Sequence, residues 1–123
     1  MLTKGLRDEE NERINNVLKQ LVALTFVPEN RNEGNVAIQL QKLGLSLEVL
    51  TTISLTELTD YLLNYHMDWA NMELFADVVA SLSAEAGLEL LKEKAVGVYN
   101  FIQHESKMFS FEIMGKVNAL SKI

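Results

Sequence analysis

His66 and His104 are the two residues of this chain best suited to bind a metal ion or to transfer a proton near neutral pH. A helical di-iron site uses Glu-x-x-His pairs, but Leu63 and Phe101 occupy the positions where the glutamates should stand. With two histidines a three-histidine site is impossible, and His-Glu-x-x-His is absent. His104 and Glu105 are neighbours, so on a helix they point about 100° apart. We expect structural roles for both histidines, with metal ligation as the alternative.

The other common catalytic and cofactor motifs are missing. The chain has no cysteine, which excludes disulfides, thiolate zinc sites and thiol catalysis. The Gly-x-Ser-x-Gly nucleophile elbow and both glycine-rich phosphate loops are absent. Gly97 and Gly115 fall inside predicted helices, where close helix packing explains them better than the approach of a ligand. We therefore predict no catalytic residue, no metal and no cofactor, and an enzyme with an unrecognised site remains the alternative.

One short segment is rich in side chains that suit a binding surface. It contains Tyr61, Tyr65, His66 and Trp69. Aromatic residues are enriched at the energetic centres of protein interfaces, which makes these four the candidate partner contacts. They are also ordinary core residues, and Trp69 lies on the apolar stripe of its own predicted helix. Both interpretations stay open at the level of sequence.

The apolar residues that surround this segment recur at helical spacing and predict an all-α fold. Ile14, Val17, Leu18, Leu21 and Val22 show the i, i+3, i+4 pattern of an amphipathic helix. The same pattern recurs along the chain and predicts helices near 8–26, 36–43, 47–53, 55–66, 69–86, 88–106 and 108–121. Their inward stripes predict a core formed by Val17, Leu21, Leu40, Leu58, Leu62, Phe75, Val79, Leu91, Val98, Ile102 and Ile113.

Local signals place the ends of these helices. Ser46, Ser54 and Asp68 are placed to cap helices, and Ser54 with Glu57 matches the capping box. Gly44 suits the left-handed position after the second helix. Acids from Asp8 onward favour a first helix that begins there.

Composition and the lengths of the connections between helices predict how the helices are arranged into a domain. Pro28 ends the first helix, residues 28–35 read as a loop, and Gly87 is placed to end the fifth helix. With 123 residues, one proline and short connections, we predict a single all-helical domain of six or seven helices over 1–123. The helices should pack as antiparallel hairpins, with an irregular helical bundle as the alternative.

One part of the chain resembles a known repeat. From Val79 to Lys107 the spacing is similar to a single tetratricopeptide repeat, whose second helix carries a small residue followed by an aromatic four positions later. Ala95 and Tyr99 fit that pair, whereas Ala86 and Lys107 replace the Tyr and Pro that the family prefers. The resemblance implies stacked helical hairpins that bind a protein or a peptide.

The net charge of −6 is concentrated in the middle of the chain. Residues 34–91 contain eight acids and a single base, Lys42, whereas residues 92–123 carry a small excess of lysine. We expect these acids to face solvent, where they repel nucleic acid and attract a basic partner. Solvation alone is the simpler role for such a surface.

Together these features favour a non-catalytic protein- or peptide-binding scaffold. The alternative is an acidic inhibitor, immunity-type or chaperone-like protein that caps a basic partner. We expect no binding to nucleic acid or membrane and a cytoplasmic location, because acids replace the apolar run of a signal peptide after Leu6. The oligomeric state stays open, and a homodimer is compatible with the sequence.

Overall fold

A computed structural model describes the backbone of residues 2–26, 33–85, 87–108 and 110–121, with their side chains except those of 2–8, 33 and 121. These residues form seven helices and no strand, so the all-α prediction is confirmed. The helices are α1 (Leu2–Phe26), α2 (Glu33–Lys42), α3 (Leu47–Thr52), α4 (Leu55–Asn64), α5 (Trp69–Leu82), α6 (Leu91–Ser106) and α7 (Phe111–Ser121).

The centre of the fold is the hairpin of α5 and α6, whose two helices make the most extensive contact in the chain. α1 packs on α5 and is covered by α2, while α4 and α7 both pack on α6. All eleven predicted core residues are buried, and none is more than 7% exposed. Each large apolar side chain stabilises the fold by roughly 1.5–3 kcal/mol when it is fully buried, so these stripes hold the helices together.

The α1–α5 contact also contains a buried polar group. Asn71 is only 2% exposed, so its amide needs partners inside the protein. Its Nδ2 donates to the carbonyl oxygen of Asn11 at 3.0 Å, and its Oδ1 accepts from Asn15 Nδ2 at 3.0 Å. Because three asparagines satisfy one another there, they fix how α1 crosses α5.

The predicted caps are confirmed. Ser46 accepts from the Val49 N–H at 3.1 Å, and Asp68 accepts from the Asn71 N–H at 2.8 Å. At Ser54 both halves of the capping box form with Glu57. Each such cap stabilises its helix by about 1 kcal/mol.

Gly44 follows α2 with a φ of 76°, in the left-handed region predicted from sequence. It is also a point of close approach, because a Cβ at this position would collide with the hydroxyl of Tyr61. Any other residue would therefore be strained in its backbone and would displace Tyr61.

Several helix ends differ from the prediction. α1 begins at Leu2 rather than near Asp8, since Leu2–Arg7 contains no proline and Gly5 costs only about 1 kcal/mol in a helix. α2 begins at Glu33 rather than near Val36, because polar residues suit a helix N-terminus as well as a loop. The predicted helix stop at Val27–Pro28 lies outside the described residues.

The hairpin connection is longer than predicted. α5 ends at Leu82, where the Ser83 hydroxyl donates to the carbonyl of Ala80 at 2.6 Å and competes with the helical hydrogen bonds. Gly87 adopts a φ of 88° in the connection beyond it, and α6 begins at Leu91 rather than near Leu88. α7 begins at Phe111 rather than near Met108, and Phe109, which its spacing from Ile113 predicts to point inward, lies outside the described residues.

Two predicted inward or packing positions are wrong. Ala37, which the helical spacing of α2 predicts to face inward beside Val36 and Leu40, is exposed, because those two residues alone direct α2 toward the core. A Cβ at Gly115 would meet no atom of the described residues within 4 Å, so packing against this part of the chain does not account for that glycine. Trp69 is 37% exposed and does not lie wholly in the core.

Candidate interaction surface

The aromatic segment is divided between two sides of the molecule. Tyr61 and Tyr65 stack with their ring centroids 5.5 Å apart, on the side of α4 next to the end of α2. The Tyr61 hydroxyl donates to the carbonyl oxygen of Leu43 at 2.6 Å, and the Tyr65 hydroxyl donates to that of Lys42 at 3.2 Å. These bonds join α4 to the C-terminal end of α2, where helix carbonyls lack partners within their own helix.

Arg13 of α1 contacts this pair of tyrosines, and the three residues form a cluster that we call the tyrosine cluster. Its guanidinium donates to the Tyr65 hydroxyl at 3.2 Å and lies 5.9 Å from the centroid of the ring. Burial, with a smaller contribution from Tyr65, raises the pKa of Tyr61, so its phenol stays protonated at neutral pH. Two of the four candidate contact residues therefore connect α1, α2 and α4 to one another.

His66 lies at the junction between α4 and α5, with a φ of 64°. Its carbonyl oxygen accepts from Asn11 Nδ2 at 3.1 Å, and Asn11 Oδ1 accepts from the Asp68 N–H at 3.0 Å. The main chain of this junction is therefore attached to α1, while the His66 side chain is exposed. The expected structural role at the junction belongs to the Asp68 carboxylate and to the His66 backbone.

Trp69 points to the other side of the molecule, toward α6. Its ring lies 6.4 Å from the centroid of Phe101, with the two planes tilted by 58°. One turn earlier on α6, Leu55 of α4 lies over Gly97, where a Cβ would come within 2.5 Å of the leucine methyl group. A groove of about 280 Å³ continues beyond Leu55 to Leu90.

We call this surface the α4–α6 face and define it by Leu55, Leu90, Gly97, Phe101 and Trp69. Leu55 is 39% exposed and Leu90 is 66% exposed, so the face presents large apolar side chains to solvent. Scattered single apolar residues are normal on a protein surface, but an apolar surface that follows one groove is typical of an interaction site.

Acidic residues border the α4–α6 face. Glu93 lines the groove next to Leu90, and the exposed Glu89 and Glu105 lie near its two ends along the chain. Lys94 also lines the groove, and it keeps its positive charge because its ammonium group donates to a neutral acceptor, the carbonyl oxygen of Leu50, at 2.9 Å. Counted together, these three acids and one base leave the border of the face with a net negative charge.

A second polar cluster, which the sequence analysis missed, lies between α5, α6 and α7. It consists of Lys116, Glu73, Asp77 and Tyr99, and we call it the lysine cluster. The Lys116 ammonium group lies 2.6 Å from Glu73 Oε2 and 3.1 Å from Asp77 Oδ1. The hydroxyl of the buried Tyr99 donates to the same carboxylate of Asp77. Two predicted solvent-facing acids are thus half-buried, because the basic C-terminal part of the chain folds back onto them.

The protonation states of this lysine cluster suit a structural role. Burial is the main cause that raises the pKa of Tyr99, and the hydrogen bond to Asp77 adds to it. Burial lowers the pKa of Lys116, but the hydrogen bonds and charges of Glu73 and Asp77 outweigh that effect and leave it raised. At neutral pH the phenol is neutral and the amine is charged, so neither group is poised as a base or a nucleophile.

The cluster borders a second groove, of about 410 Å³, whose apolar walls include Phe26, Ala119 and Leu120. Its charged groups already satisfy one another, which distinguishes it from the α4–α6 face. Glu73 and Asp77 stand four residues apart on one side of α5, and this spacing is the only signal in the sequence. Nothing local to α5 predicts that Lys116, about forty positions away, would neutralise them.

The remaining histidine lies apart from both clusters. His104 Nδ1 approaches Glu105 Oε2 to 2.9 Å, so the two exposed side chains bend together despite their divergent directions on the helix. Across the described ranges, no three histidine, aspartate or glutamate side chains converge in a way that could hold a metal ion.

The described part of the chain also contains no helix that is both long and apolar enough to cross a membrane. Comparisons with family models, curated proteins and solved structures gave no match to this chain. Its surfaces are therefore the features from which a function can be argued.

Proposed function

We propose that this chain is a non-catalytic, cytoplasmic protein that binds another protein or a peptide. The observation that carries this proposal is the α4–α6 face, where large apolar side chains stay exposed beside a groove. Keeping Leu55, Leu90 and Trp69 partly in water forgoes roughly 25 cal/mol for each Å² of apolar surface that remains unburied. A binding partner recovers that free energy by covering them.

The architecture supports such a role. The α5–α6 hairpin provides a rigid base, since its facing side chains are fully buried and α1 and α7 support it from either side. Ala95 and Tyr99, the pair on which the tetratricopeptide resemblance depends, lie in that buried contact. We therefore propose a hairpin scaffold of tetratricopeptide type, with the irregular bundle as its alternative.

The charge of the surface favours a basic partner. Six of the eight acids in 34–91 remain outside the lysine cluster, in which Lys116 pairs with the other two. Such a surface steers a basic protein toward it and repels a phosphate backbone. An inhibitor or chaperone-like protein that caps a basic partner is the second candidate function, and it shares this observation.

Affinity capture from the source organism tests the proposal. The tagged chain should retain a discrete protein at low salt, and the purified partner should then bind it in a titration followed by calorimetry. Association should slow as salt increases from about 50 mM to about 500 mM, because the Debye length falls across this range. Turnover of a small molecule by the purified chain, without any protein partner, would instead support an enzyme.

A further inference from the structure

The side of α6 that faces α4 carries a line of residues at helical spacing. Gly97 and Phe101 are four residues apart, and Leu90 precedes Gly97 by two turns, so all three fall on one side of the helix axis. The buried side of the same helix carries Leu91, Val98 and Ile102. α6 is therefore apolar over a wider arc than its contact with α5 requires.

Gly97 gives this line its shape. Because it has no side chain, Leu55 of α4 reaches down to the backbone of α6 at that point. Leu90 with Thr51 borders the groove on one side of this contact, and Phe101 with Trp69 lies on the other side. From Leu91 to Phe101 the helix rises about 15 Å, which is close to three turns of an α-helix.

The charges around the face indicate which kind of partner would bind there. Glu93 stands inside the groove, and Glu89 and Glu105 extend the negative border. Glu89 accepts from the backbone N–H of Gly87 at 3.0 Å, and Glu105 pairs with His104, so these two carboxylates are held in place. Among the described residues, no lysine or arginine forms an ion pair with either of them or with Glu93. Lys94 also lines the groove and donates to the carbonyl oxygen of Leu50, so the acids around the face outnumber this base.

We propose that the α4–α6 face binds an amphipathic helix of a basic partner protein. About three turns of that helix lie along the face, with apolar side chains at i, i+3, i+4 and i+7 against Leu55, Leu90 and Phe101. Lysines or arginines that flank this stripe meet Glu93 and Glu105. This inference rests on the proposed binding function, and it adds the place of binding and the chemistry of the partner.

Trp69 makes the binding measurable without a label, because it is the only tryptophan in the chain and it lies at one end of the face. The probe is a synthetic helix of about 18 residues, built of leucine and lysine with leucines at helical spacing. It should shift the Trp69 emission to shorter wavelength and saturate. The same peptide with glutamate in place of lysine should leave the emission unchanged.

Matched variants distinguish binding of the peptide at this face from non-specific attraction of a basic peptide to an acidic protein. Leu90→Asp should weaken binding of the leucine–lysine peptide about tenfold, whereas Ile38→Asp, at a similarly exposed leucine-sized residue on α2, should leave it unchanged. Glu93→Lys should weaken it about threefold at low salt, and Glu12→Lys, the same change of charge on α1, should have less effect.

The outcomes are distinguishable. Equal loss in Leu90→Asp and Ile38→Asp, or equal binding of both peptides, overturns the proposed site. If a partner captured in the affinity experiment binds Leu90→Asp and Glu93→Lys as well as the unaltered chain, the binding function stands and this site is wrong. Concentration-dependent dimerisation that Leu90→Asp abolishes would assign the face to a second copy and also overturn the proposal.

Discussion

The lysine cluster and the α4–α6 face lie on opposite sides of α6 and treat charge in opposite ways. On the α5–α7 side, Lys116 neutralises Glu73 and Asp77, and the Tyr99 hydroxyl donates to the Asp77 carboxylate as well. On the α4 side, Glu93 and Glu105 have no lysine or arginine partner among the described residues and border apolar groups that stay exposed.

The difference shows how a helical protein of this size can separate stability from recognition. Charges that are paired and half-buried hold α7 on the hairpin. Each of these polar groups already has a partner, so exposing it to water would not give it better hydrogen bonds. Exposed carboxylates that have no lysine or arginine partner contribute little to folding and keep their attraction for a basic partner. Changes in the first region should therefore act on stability, and changes in the second on binding.

The largest expected effect is on the paired side. Lys116→Met should lower the free energy of unfolding by about 1–3 kcal/mol, because two half-buried carboxylates lose their cation. Urea denaturation followed by circular dichroism measures it. Lys19→Met, at an exposed position on α1, is the control and should change stability by less than about 0.5 kcal/mol. Equal effects in the two variants would show that the cluster does not hold α7.

Alkaline pH should weaken the same region progressively. The pKa values of Tyr99 and Lys116 are both raised in the folded state, so their contribution is complete below about pH 10 and is lost as pH rises through the folded values. Urea denaturation at a series of pH values should show stability falling above about pH 10. Tyr99→Phe should be less sensitive over that range, and an identical slope in both proteins would contradict the assignment.

A smaller effect is expected at Ser54, which caps α4 next to Leu55 of the α4–α6 face. Ser54→Ala removes the oxygen that accepts from the Glu57 N–H and should cost about 0.5–2 kcal/mol. Because the capping box fixes the start of α4, and Leu55 follows it directly, this variant should also weaken binding of the leucine–lysine peptide. Ser54→Asp, which retains an acceptor, should restore most of both losses. A melting temperature unchanged by Ser54→Ala would contradict the cap.

The smallest effect on stability is expected at Leu90, at one end of the α4–α6 face. Leu90→Asp should change the free energy of unfolding by no more than about 0.5 kcal/mol, because Leu90 lies in a turn and is 66% exposed. The same denaturation experiment measures it, alongside the peptide titration. A large loss of stability would mean that Leu90 belongs to the core, and the comparison between the two regions would then fail.

Much of the fold could be predicted because its determinants are local. The period of apolar residues fixed which side of each helix turns inward, as the burial of Leu21, Phe75 and Val98 confirms. The caps at Ser46, Ser54 and Asp68 are bonds over three residues, so their spacing in sequence determines their geometry. Helix ends without such a bond were placed less well, as α1 and α6 show, because composition alone does not stop a helix.

The candidate sites depended on distances that local spacing does not encode. Tyr61, Tyr65, His66 and Trp69 are close in sequence, and the sequence by itself determined that they flank a helix junction. Only the tertiary structure decided that the tyrosines bind the end of α2 while Trp69 meets Phe101. It also decided that Lys116 neutralises Glu73 and Asp77 while the acids of the α4–α6 face stay unneutralised. Local periodicity sets which side of a helix is apolar, but which neighbour that side meets depends on how all the helices pack together.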